Sequence, residues 1–223
     1  MKRCFKKIFI LFVIFNHQQS LYSQQLPFWN EIQNFKQKDS VVFPASNAIL
    51  FIGSSSFTMW KDIPEYFPGY PILNRAFGGS ALLDQINYVN DIVYPYHPKQ
   101  IFIYCGENDL ESSDTVTAND VYQRFLTLFS LIRKRNSRIP VYYVSMKPSP
   151  GRVHLLPKMI EGNNRIKKFL SKELNTGYID VYNHMLEKDG KPMKNIFIED
   201  QLHLNAYGYK IWQKLILPHL LNN

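Results

Sequence analysis

The chain has 223 residues, 45% of them hydrophobic and 15% aromatic, which suits one domain with a sizeable core and excludes both a disordered chain and a pair of full-sized domains. Its formal charge of +8 falls to +4 once Lys2, Arg3, Lys6 and Lys7 are set apart, too weak an excess to point to nucleic acid as a partner. The densest remaining basic cluster, Arg133, Lys134, Arg135 and Arg138, falls at the end of a helix-like stretch, where cations offset the helix dipole.

Those four N-terminal cations precede an apolar run over residues 8–15, a polar stretch, and small residues at Ser20 and Ser23. This is the order of a secretory signal peptide, and the apolar run is far shorter than the roughly 20 residues a membrane span needs. The expected division is a signal peptide over residues 1–23, cleaved near Ser23, and a single domain over 24–223, exported to the periplasm or beyond. Cys4 lies before the apolar run and is not placed for lipid attachment. Only Cys105 remains after cleavage, so no internal disulfide can form. Its apolar surroundings mark it as a small core residue.

Phe28, Trp29, Ile32 and Phe35 recur at near-helical spacing within residues 26–38, before Pro44. Strand-length apolar runs follow at residues 49–53, 72–77, 100–105, 141–146 and 178–181. Amphipathic stretches alternate with them at 59–67, 81–94, 118–134, 157–174 and 206–221. Such alternation predicts an α/β domain, a parallel sheet with helices on both faces, and ligands of such sheets bind at the carboxyl ends of the strands.

The polar motifs fall where that rule puts them. The first strand breaks at Gly53 into Ser54, Ser55 and Ser56, which can offer a nucleophile or merely cap a helix. After the second come Asn74-Arg75-Ala76-Phe77-Gly78-Gly79-Ser80, and after the third Gly106-Glu107-Asn108-Asp109. Asp200 and His203 precede the last helix. Singly these read as turns or caps. Together they supply a hydroxyl, a base, an orienting carboxylate and oxyanion donors, the set that acyl transfer needs. The six histidines show no paired helical spacing of the metal-binding kind.

In order and spacing, these blocks resemble the SGNH hydrolase superfamily, also called the GDSL esterases and lipases, over residues 51–209. The resemblance implies a three-layer α/β/α fold with a five-stranded parallel, flavodoxin-like sheet. It places the nucleophile at Ser55, the base at His203 and the triad carboxylate at Asp200, with the Ser55 and Gly79 N–H groups and the Asn108 amide as the oxyanion hole. Ser54 stands where the family commonly has Asp. Residues 145–150 are expected to wall the site without a catalytic role. The implied activity is hydrolysis of carboxylic esters without cofactor or metal, on a small-molecule or glycan ester such as an O-acetylated glycan. No nucleic acid or stable membrane span is implied. A carbohydrate-binding domain that has lost activity on the same fold, and an O-acyltransferase, are the alternatives. Export and the absence of a long apolar lid segment favour short acyl groups.

Overall fold

The computed structural model describes residues 25–222, so the expected signal peptide lies outside the described residues. Five strands, β1 Ile49–Gly53, β2 Ile72–Asn74, β3 Gln100–Tyr104, β4 Val141–Val144 and β5 Thr176–Ile179, form one parallel sheet in the order β2-β1-β3-β4-β5. β1 and β3 pair along five positions, Ile49 with Gln100 through Gly53 with Tyr104. All five strands therefore deliver their polar exits to one edge.

Ten α-helices are described: α1 Trp29–Val41, α2 Ser55–Thr58, α3 Ile63–Tyr66, α4 Leu82–Asn87, α5 Val89–Ile92, α6 Glu107–Glu111, α7 Ala118–Arg135, α8 Leu156–Leu170, α9 Val181–His184 and α10 Ala206–Ile216. Side chains alternate across a strand, so the continuous apolar runs of β1 and β3 serve two cores. Leu50, Ile52, Ile101 and Ile103 pack with Phe125, Leu128, Met159 and Ile166 of α7 and α8. Ile49, Phe51, Phe102 and Tyr104 pack with Phe57, Trp60 and Trp212 on the opposite face. The result is the expected three-layer α/β/α arrangement.

The differences from expectation have local causes. β2 ends at Asn74 rather than 77 because the Asn74 amide turns back, donating to the Phe57 carbonyl and accepting the Ala76 N–H. The stretch 59–67 is not one helix but α3 alone, after a break, with Pro64 in its first turn. Residues 81–94 likewise divide into α4 and α5 about Tyr88. The last helix gives way at Ile216 to a 3₁₀ turn containing Pro218. Cys105 is buried, and burial pushes its thiol well above the ordinary range. No helix among the described residues is long and apolar enough to cross a membrane.

Gly53 closes β1 where only glycine fits. Its φ is +132°, and a Cβ there would lie 1.9 Å from the Tyr104 carbonyl oxygen. Overpacking and a φ foreign to L-residues act together in Gly53→Ala, so a loss of at least about 3 kcal/mol is expected, or about 6–12 °C in Tm for a chain of this size. Thermal unfolding checks this, and a midpoint within about 2 °C of the parent would show that β3 yields instead.

Candidate active site

Ser55 opens α2 directly beyond β1, and of the three serines it alone is not buried. Ser54 is the residue before the helix, yet its side chain makes no capping bond. Its N–H donates to the Tyr104 carbonyl, and its own carbonyl accepts from Phe57 and Thr58. Backbone bonds thus order the turn without the aspartate the related family commonly has there.

The Gly78-Gly79 turn passes close by: a Cβ on Gly78 would come within 3.9 Å of the Ser55 Cβ. Gly79 has φ +82°, a left-handed turn that glycine adopts at little cost. The turn is stitched down by buried Ser80, whose hydroxyl donates to the Phe77 carbonyl at 2.7 Å and receives the Gln85 amide at 2.9 Å.

Asn108 lies in the first turn of α6, a helix where the sequence shows only a polar cluster. Its Nδ2 donates to Ser54 Oγ at 2.8 Å and to the Ser80 carbonyl at 3.0 Å, which brings three of the sequence blocks together. Its neighbour Asp109 is fully buried and ties helices together, accepting the Leu82 N–H at 2.9 Å and Arg124 Nη1 at 2.8 Å. Burial raises the Asp109 carboxyl above its ordinary range, against the pull of those donors.

Asp200 and His203 sit in a loop closed by a bridge between Phe197 and Leu204 and anchored by Asn205. The Asn205 amide donates to the Asn195 and Phe197 carbonyls while its oxygen caps α10. Asp200 Oδ1 accepts the N–H groups of Leu202 and His203, both at 2.9 Å, and Oδ2 bonds His203 Nδ1 at 2.6 Å. A carboxylate can only accept, so Nδ1 carries the proton and Nε2 is left basic. Slight burial acts to raise the Asp200 carboxyl, but the His203 and Leu202 donors outweigh it and hold the group at about 2. Among the described residues the Ser55 hydroxyl has no hydrogen-bond partner, so Ser55 and His203 are not joined in this resting geometry. Such bonds often tighten only with substrate.

A buried ionic cluster beside Asn108 was missed by the sequence reading. Glu107 lies under Lys147, with Nζ at 2.9 Å from Oε2, and also accepts from Tyr104 Oη and the Lys147 N–H. Burial would raise the Glu107 carboxyl, but Lys147 and Arg152 hold it below its ordinary range. The legible signal was a lysine between apolar strand residues and two prolines, a place where a charge needs a partner. Among the described residues no three His, Cys, Asp or Glu side chains gather as a metal-ion site.

The sequence profile of the GDSL-like lipase/acylhydrolase family matches residues 52–211. No curated protein matches the chain. Among solved structures, a protein of Bacteroides fragilis described as an acylhydrolase is 19% identical, with a TM-score of 0.75 over 86% of this chain and 96% of its own. A GDSL-like lipase of Bacteroides thetaiotaomicron is 18% identical, with a TM-score of 0.73 over 84% and 96%. An acetyl xylan esterase of Geobacillus stearothermophilus is 12% identical, with a TM-score of 0.62 over 78% and 94%. At such identities the likeness is one of fold.

Proposed function

The chain belongs to the GDSL-like lipase/acylhydrolase family, and on that premise we propose that it is a serine-dependent carboxylic ester hydrolase acting on short acyl esters, with Ser55 as nucleophile. The observation that carries the reading is the 2.6 Å bond between Asp200 Oδ2 and His203 Nδ1, which fixes the tautomer a general base requires. His203 Nε2 takes the Ser55 proton as Oγ attacks the ester carbonyl, and Asp200 stabilises the imidazolium that forms. The N–H groups of Ser55 and Gly79 and the Asn108 amide receive the developing oxyanion. For that, the Asn108 bond to Ser54 Oγ gives way, and a neutral hydroxyl competes for the N–H less strongly than a carboxylate would. His203 then returns the proton to the departing alkoxide, and water repeats the sequence on the acyl-enzyme.

Short acyl groups, O-acetyl groups on glycans among them, are supported by the partly buried serine and by a fold neighbour that is an acetyl xylan esterase. Export after removal of residues 1–23 belongs to the same reading, because it brings the domain to extracellular glycans. The test is a series of aryl esters of increasing acyl length, followed by acetylated oligosaccharides, on the purified domain. Turnover should be greatest for acetate and fall as the acyl chain lengthens. A rate that rises with chain length would overturn the substrate class, and no turnover of any ester would overturn the hydrolase.

A further inference from the structure

Arg152 stands between the buried ionic cluster and the proposed oxyanion hole. It stands at the kink of the segment Pro150–Leu155, where its own backbone leaves helical geometry (φ −130°, ψ 34°), and its side chain is only 13% exposed. Its guanidinium divides three ways: Nη2 to Asn108 Oδ1 at 2.9 Å, Nη1 to Glu107 Oε2 at 3.4 Å, and Nε to Glu111 Oε2 at 3.5 Å. Glu107 already has Lys147 at 2.9 Å, so it does not need a second cation for neutrality. The shortest bond Arg152 makes is the one to Asn108.

That bond has a directional consequence. Arginine has donors only, so the Asn108 atom facing it must be the oxygen. The Ser80 carbonyl on the other side can only accept, so the atom facing it must be the nitrogen. The side-chain amide is thereby locked with its N–H pair towards Ser54 and the serine turn. A cation on Oδ1 also polarises the amide and makes its N–H groups stronger donors. The Pro150–Leu155 segment also reaches the acid-base loop, because the Gly151 N–H donates to the Gln201 carbonyl at 2.9 Å, one residue beyond Asp200.

We infer that Arg152 is a positioning residue that orients and polarises the Asn108 amide as an oxyanion donor, with the Glu107–Lys147 pair as the fixed base on which it rests. The inference depends on the hydrolase reading, in which Asn108 is that donor. Arg152 touches no reacting atom, so its effect passes through Asn108.

A double-mutant cycle on a short aryl ester reads this out. Arg152→Met should lower kcat by about 10–10²-fold, less than the roughly 10²–10³ that loss of the donor itself costs, with KM changed by no more than about twofold. In an Asn108→Ala background, Arg152→Met should cost less than about threefold more. Arg152→Lys keeps a charge over Glu107 but loses the planar fork. It should melt with the parent and still lose kcat, which keeps the test decisive if Arg152→Met does not fold. Losses that multiply in the Asn108→Ala background would overturn the inference, as would a rise in KM at unchanged kcat, the mark of substrate binding. If Asn108→Ala itself is nearly silent while Ser55→Ala is inactive, the hydrolase stands and this inference falls. If Ser55→Ala is as active as the parent, the failure lies in the functional reading itself.

Discussion

Replacing Ser55 by Ala should lower ester turnover by at least about 10³-fold and abolish labelling by a phosphonate probe, while Ser54→Ala and Ser56→Ala should retain a measurable fraction of both. The three adjacent hydroxyls differ in surroundings more than in chemistry. Ser56 is 0% exposed, and Ser54, 4% exposed, has its Oγ occupied by the Asn108 amide at 2.8 Å. Ser55 begins α2, keeps solvent access, and faces the Gly78-Gly79 turn. Ser54→Ala removes a competing acceptor from Asn108, so any loss it causes should appear in stability before turnover. Peptide mass spectrometry locates the adduct. A probe on Ser54 or Ser56 would shift the nucleophile by one residue. No adduct on any of the three, in a folded chain, would favour the non-catalytic domain.

The sheet was legible because its strands are short apolar runs, and β1 and β3 at its centre are buried along their whole length, a pattern that survives whatever the neighbouring helices do. β1 occupies the expected residues 49–53, and β3 ends one residue early. β5 lies at Thr176–Ile179 rather than 178–181. Its first three residues are only half-buried and include Gly177, so apolar content marked its start poorly. Helix boundaries were less legible where tertiary bonds outbid periodicity. Tyr88 interrupts one amphipathic stretch, where the chain makes a fresh helical start at Val89.

The sequence blocks could be named without the fold, but the links between them could not. Asn108 reaches Ser54 across 54 positions and Ser80 across 28, contacts that no local pattern encodes. Arg152 merely follows Pro150 and Gly151 in the sequence, and nothing local marks it out. Only the packing reveals it on Asn108, with Glu107 and Lys147 buried behind it. Asp109, by contrast, was visible as part of a motif, but its work is to hold α4 and α7 together.

His203→Ala and Asp200→Ala should each lower turnover steeply, by at least about 10³-fold and 10²-fold respectively, and the double change should cost no more than about threefold beyond His203→Ala alone. In the proposed mechanism Asp200 acts through the imidazole: with no ring to orient, its carboxylate would have nothing to contribute to catalysis. The pH profile adds an independent check. The Asp200 carboxyl is depressed to about 2, below an ordinary unfolded value near 4. The stabilisation it contributes is therefore full above about pH 4 and lost as the pH falls through about 2. Above about pH 4, therefore, Asp200 stays ionised. The acid limb of kcat/KM should then follow a single proton, the one that occupies His203 Nε2 and blocks it as a base. A limb of two protons above pH 4 would mean that Asp200 is not held ionised. Fully additive losses would reduce it to a structural member of the loop, with Oδ1 on two backbone N–H groups as its whole role.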